Sequence, residues 1–261
     1  MRISEFTSTI KKENQLLYWC GLLNFALFAI CFALYFFDSR LVMGINPWIK
    51  PMKFGLSVGI YCWTFAWLLR YLVSKGNIKF ISWVILVCMV VENGIITLQA
   101  ARGVISHYNI SSSFDALLFS IMGAFIGINS LIIFHTLILF LFFRTTLDKN
   151  MLLAWRFGLL LFLVGGVAGG MMIGNLSHIV GSSDGTDGIA FLNWSKVVGD
   201  LRSAHFITMH GLQMIPLFAF FISSQMKKPL LITTIFFILY SFACFRLHQV
   251  ALEGKPFFEL L

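Results

Sequence analysis

The chain has 261 residues, 59% of them hydrophobic and only 11% charged, with a formal net charge of +8. Average globular domains are about a quarter charged, and a soluble protein of this length has no interior large enough for so much apolar surface. A soluble enzyme is therefore excluded. So is a nucleic-acid partner, because the Lys and Arg residues collect at the ends of apolar runs, where topology and lipid headgroups account for them. The composition predicts an all-α integral membrane protein: one polytopic domain over 1–261, a bundle of about seven transmembrane helices, whose first partner is the lipid bilayer.

The N-terminal stretch "MRISEFTSTIKKENQ" has no apolar core and no small-residue cleavage site. It predicts a cytoplasmic tail or a surface helix. Apolar windows long enough to span a bilayer follow at about 15–37, 52–73, 79–100, 114–143, 151–174, 203–223 and 229–249. Five cysteines lie inside these windows without a CxxC pair, and they are expected as small core residues.

Between the first two spans stands "NPWIKPMKF" (46–54). Pro47 and Pro51 set a rigid turn, Trp48 suits an interfacial anchor, and Lys50 and Lys53 can snorkel to headgroups. A sharper reading makes Trp48 and Lys50 a clamp for an anionic headgroup or substrate. Span three carries Glu92, a carboxylate in mid-span that costs at least about 2.5 kcal/mol and calls for an interior partner. Glu92, Gln99, Arg102 and Ser106 are spaced seven, three and four apart, on one helical stripe. The stripe reads either as polar glue between helices or as a cavity wall. "ARGVISHYN" (101–109) and Asp115 follow. Span five contains "GGVAGG" (165–170), with Gly165/Gly169 and Gly166/Gly170 at the spacing of close helix packing.

The fifth loop is long, and it leads from His178 through "SSDGTDG" to "GDLRSAHFITMHGLQMIP" (199–216). The acidic run lacks the spacing and closing Glu of a calcium-binding EF-hand and reads as a turn-rich loop. In span six, His205 and His210 are five residues apart, so they point about 140° away from each other and form no chelating pair. His210, Gln213 and Met214 share one face. At 1.5 Å per residue, His210 and Glu92 lie about 12–13 Å from the same side, which predicts that they meet. Pro216 is expected to kink the helix below them.

The odd-numbered loops lie on one face and carry the unusual chemistry. The even loops are short and basic. Eleven Lys and Arg residues fall on the even-loop side with the N-terminus, against eight on the other. The positive-inside rule then puts the N-terminus in the cytoplasm and the C-terminus outside.

His and carboxylate residues brought from several segments to one face allow a divalent metal, with His205, His210, His107, His178 and Asp115 as candidate ligands. They also allow haem on histidines from different spans. "SHYN" with Asp115, and "HFITMH", make the layout similar to the intramembrane zinc hydrolases that include alkaline ceramidases and adiponectin-receptor-like proteins. That family has seven helices and combines Ser, Asp and His ligands near one face. Its closing histidine pair is i,i+4 on the last span. Here the pair is i,i+5 on span six and the last span offers only "RLH", so the chain is not assigned to it.

A lysine in the last span, needed for a rhodopsin Schiff base, is missing, and so are the P-loop, Rossmann and GxSxG patterns. Three function classes stay open. The first is a membrane enzyme acting on a lipid or other hydrophobic small molecule, with Glu92 and His210 as acid/base or ligand pair. Gln99, Arg102, Arg202, Gln213, Lys50 and Trp48 would then bind substrate. The second is a haem- or quinone-linked redox protein. The third is a transporter or sensor using the same cavity. The substrate and the oligomeric state are not encoded in any recognisable motif.

Overall fold

The computed structural model describes residues 3–182, 184, 185 and 188–260. The chain is all-α, and among the described residues seven helices are long and apolar enough to cross a membrane, as in a multi-pass integral membrane protein. They are α2 (Gln15–Phe37), α3 (Ile49–Leu69), α4 (Lys75–Arg102), α5 (Ser113–Phe142), α6 (Lys149–Asn175), α7 (Leu201–Phe221) and α8 (Pro229–Leu252), preceded by the short α1 (Ile3–Glu13). The only regular strands among the described residues are β1 (Ile179–Val180) and β2 (Gly199–Asp200), which pair antiparallel and close the fifth loop. The "SSDGTDG" run falls partly outside the described residues.

Helix ends differ from the apolar windows where polar caps extend them. Ser74 accepts from the Asn77 amide and starts α4 before its apolar run, and Asp148 does the same for α6 by accepting from Asn150 and Met151. α3 begins at Ile49 because Pro51 is tolerated in a first turn, where its missing N–H costs nothing. α7 continues through Pro216 to Phe221. All five cysteines are buried and free.

The chain divides into two compact units, Met1–Ile132 and Ile133–Leu261. In unit 1, α1 is the surface helix that its sequence suggested: Ile10 is buried, and Phe6 lies against Trp63 and Trp67. α2 and α3 approach so closely that a Cβ on Gly55 would stand 2.9 Å from the Asn24 carbonyl oxygen. Side-chain hydrogen bonds tie the helices further. Asn14 donates to Ser82 at 2.7 Å, Asn93 donates to Asn24, and the Tyr61 hydroxyl donates to Asn129 at 2.9 Å. Such bonds contribute about 0.6–2 kcal/mol each inside a membrane.

In unit 2, α6 and α7 make the close pair. A Cβ on Gly165 would lie 2.9 Å from the Met209 amide nitrogen, and one on Gly169 would press on the His205 ring. Gly166 and Gly170 face open space. Only one of the two small-residue pairs in "GGVAGG" is therefore a helix contact. α8 joins through Thr233, which donates to Asn150 at 2.9 Å, and Tyr240, whose hydroxyl donates to the Ile207 carbonyl at 2.5 Å.

Candidate functional site

The polar residues of unit 1 separate into three groups. The first closes the bend after α2. Asp38 accepts from the Arg40 amide at 3.0 Å, from Arg40 Nε at 2.9 Å and from Arg40 Nη2 at 2.6 Å. It also accepts from the indole Nε1 of Trp48 at 2.7 Å. Arg40 holds the Asp38 carboxyl well below the usual carboxylate range. Trp48, expected at the lipid interface, is 8% exposed and turns its N–H to the half-buried Asp38 carboxylate. Asp38 is the residue that sequence reasoning missed. Its signal was the Asp-x-Arg spacing at the end of an apolar run.

The second group closes the third loop. Asp115 accepts from Arg102 Nη1 at 2.5 Å, from Gln99 Nε2 at 2.8 Å and from Ser112 Oγ at 2.6 Å. Arg102 also donates to Gln99. Gln99 and Arg102, candidates for substrate binding, thus meet an aspartate of their own chain. Any external anion would compete with Asp115 for Arg102.

The third group surrounds Glu92. α4 ends at Gly103, whose φ of 73° gives a left-handed cap with its amide turned to Ala100 and Gln99. The chain then folds back. Ser106 and Asn109 are buried, and Tyr108 is held at a φ of 59°, a strained region for a bulky residue. Glu92 stands ten residues before Arg102, about 15 Å along the helix. The loop nevertheless returns His107 to it, with Nε2 at 3.6 Å from Glu92 Oε1. That distance is an ion-pair contact and too long for a hydrogen bond. The other carboxylate oxygen, Oε2, is buried without a hydrogen-bond partner. The Glu92 side chain is 3% exposed.

Around this pair, His107 Nδ1 lies 3.1 Å from Ser106 Oγ, and the imidazole sits among Phe54 of α3, Tyr108 and Phe119 of α5. Lys50, in the first turn of α3, stands four residues before Phe54, on the same face of that helix. Phe54 also packs on the apolar cluster of Ile95, Ile96 and Met122. Three candidates named for three different roles, Glu92, His107 and Lys50, therefore fall in one neighbourhood. Irregular backbone at this depth is tolerated only where protein buries it or it lines a cavity.

In unit 2, Asp200 caps α7. It accepts from the Ser195 amide at 2.8 Å, the Arg202 amide at 3.0 Å, Arg202 Nε at 2.9 Å and Arg202 Nη2 at 2.6 Å. This repeats the Asp38–Arg40 arrangement, and it occupies the guanidinium expected to bind substrate. His178 Nδ1 lies 2.7 Å from Asp184 Oδ2. Burial pushes the Asp184 carboxyl up, but its bonds to His178 and Ser177 outweigh this and leave it lowered. His205 directs Nδ1 to the Gly165 carbonyl on α6 at 2.8 Å, and His210 directs Nδ1 to the Phe206 carbonyl of its own helix at 2.8 Å. Because carbonyls only accept, Nδ1 carries the proton in both rings. Gln213 lies a turn further along α7, half-buried. Glu92 belongs to unit 1 and His210 to unit 2.

Of the expected metal ligands, His107 lies at Glu92 and Asp115 at Arg102 within unit 1, while within unit 2 His178 lies at Asp184 and His205 and His210 each turn Nδ1 to a carbonyl. Among the described residues no three His, Cys, Asp or Glu side chains form a group able to hold a metal ion. Compared with known proteins, the chain matches no family model, no curated protein and no solved structure.

Proposed function

We propose that this membrane protein takes up a bilayer-dissolved molecule at the odd-loop end of unit 1 and exchanges a proton with it through Glu92 and His107. One observation carries the reading: a fully buried carboxylate with one oxygen unpartnered and the other 3.6 Å from an imidazole. Burying such a group is costly unless something answers it. A carboxylate and an imidazole side by side are a general acid and base within reach of one reacting group. Phe54 and Phe119 supply apolar walls, and Lys50 lies on the Phe54 face of α3.

Native mass spectrometry of the protein extracted in mild detergent tests this. Wild type is expected to carry a co-purifying small molecule or a lipid-dependent gain in thermal stability. Glu92→Gln and His107→Gln are expected to lose it. If both variants retain wild-type ligand content and wild-type lipid response, the site reading is wrong. Liposome uptake that depends on Glu92 with the cargo unchanged would shift the reading from enzyme to transporter.

A further inference from the structure

We infer that the molecule received at Glu92 presents an uncharged hydroxyl group on an apolar body. The inference rests on the site reading above and names the chemical class that the site would take. With Glu92 ionised, Oε2 is an acceptor with no donor facing it, so the group received in that state donates a hydrogen bond. An ammonium would donate, but it would have to leave its hydration shell behind to reach a carboxyl whose side chain is only 3% exposed. A carboxylate or phosphate would bring a second anion against a buried carboxylate at close range. A hydroxyl meets neither objection. It donates to Oε2 without bringing a charge into the buried site.

The rest of the neighbourhood fits an apolar body behind that group. The His107 ring lies 5.9 Å from the Phe54 ring and 6.5 Å from the Phe119 ring. Beyond them stands the cluster of Ile95, Ile96 and Met122, packed against Phe54 and Leu118. Apolar walls with a few convergent polar groups are the usual make-up of a small-molecule site.

The test uses the full chain in lipid nanodiscs and a hexadecanol carrying a photoreactive diazirine. Crosslinked peptides are identified by mass spectrometry, and unlabelled hexadecanol, its methyl ether, hexadecylamine and palmitate serve as competitors. Labelling is expected within 50–54, 92–108 and 115–122. Hexadecanol should compete at least about tenfold better than its methyl ether, which accepts but cannot donate. The amine and the acid should do no better than the ether. A monoacylglycerol arm separates a glycerol lipid from a simple long-chain alcohol, and success of either supports the class.

If the ether matches the alcohol, no donor is needed and the inference falls. If the amine or the acid wins in wild type and Glu92→Gln weakens that binding, the site survives but the hydroxyl class does not. If labelling avoids these segments, or is the same in a folded Glu92→Gln protein, both the site reading and the inference fail. The competitor series runs on wild type, so the hydroxyl test does not depend on any variant folding.

Discussion

At the residue scale, a buried carboxylate with an idle oxygen sets stability against function. Glu92→Gln keeps the volume and removes the charge, so the unliganded protein is expected to unfold at an equal or higher temperature, while ligand-dependent stabilisation is lost. Thermal unfolding with and without added lipid checks both halves. A loss of basal stability would mean that Glu92 is structural glue. The loop aspartate Asp184 behaves in the opposite way. Its carboxyl is lowered by His178, so its contribution is fully present above the ordinary aspartate range and is lost as the pH falls through the lowered value. Hydrogen exchange of the fifth loop should therefore quicken at acidic pH in wild type. In Asp184→Asn the loop should already be loosened at neutral pH and respond little to acid.

The sequence made Glu92 visible as a mid-span charge, and His107 and Lys50 visible as residue types at the same face. It could not show that they meet. Meeting requires the third loop to turn back about three helical turns, and that depends on a left-handed Gly103, a strained Tyr108 and the burial of Ser106 and Asn109. None of these has a periodicity to read. The stripe Glu92–Gln99–Arg102 was correct as helical geometry but misleading as one site. Gln99 and Arg102 turn to Asp115, a residue across a loop that spacing along one helix cannot predict.

At the scale of the elements, each helix pair is held by its own device. Gly165 faces the α7 backbone while Gly166 faces open space. Gly165→Val is therefore expected to destabilise unit 2 by several kcal/mol, since its Cβ meets backbone that cannot give way, whereas Gly166→Val should change stability little. Unfolding in detergent compares the two directly. The α7 cap gives a second contrast. Asp200→Ala removes the cap and strands Arg202 and the Ser195 amide, at a cost of about 2–4 kcal/mol, whereas Asp200→Asn keeps the cap and should cost less. Element boundaries were legible within a few residues because apolar windows mark them. Polar caps such as Ser74 and Asp148 account for the early starts of α4 and α6, whereas the window 52–73 overran α3, which ends at Leu69.

At the scale of the whole molecule, we propose that all seven helices long and apolar enough to cross a membrane do so, which would set the two ends of the chain on opposite sides of the bilayer. The excess of Lys and Arg on the even-loop side proposes a cytoplasmic N-terminus. Reporter fusions should then give a cytoplasmic signal at the N-terminus and an extracytoplasmic one at the C-terminus. The reverse pattern would place the Glu92 site at the cytoplasmic surface. The fold class was legible from composition alone, because only helices or closed barrels satisfy the backbone in lipid and the apolar runs are long and unbroken.

The Asp-x-Arg clasps bear on how such a chain is made. Asp38–Arg40 and Asp200–Arg202 each close within three residues, with a bidentate fork and a backbone amide on the same carboxylate. A contact this local requires no folded neighbour and forms in the nascent loop on the fastest timescales of chain motion. Separated charges would have to be carried across the bilayer one at a time, each at its own cost. In the proposed orientation with these loops extracytoplasmic, a carboxylate already paired with its own arginine would cross as a net-neutral unit, at a lower cost than two separated charges.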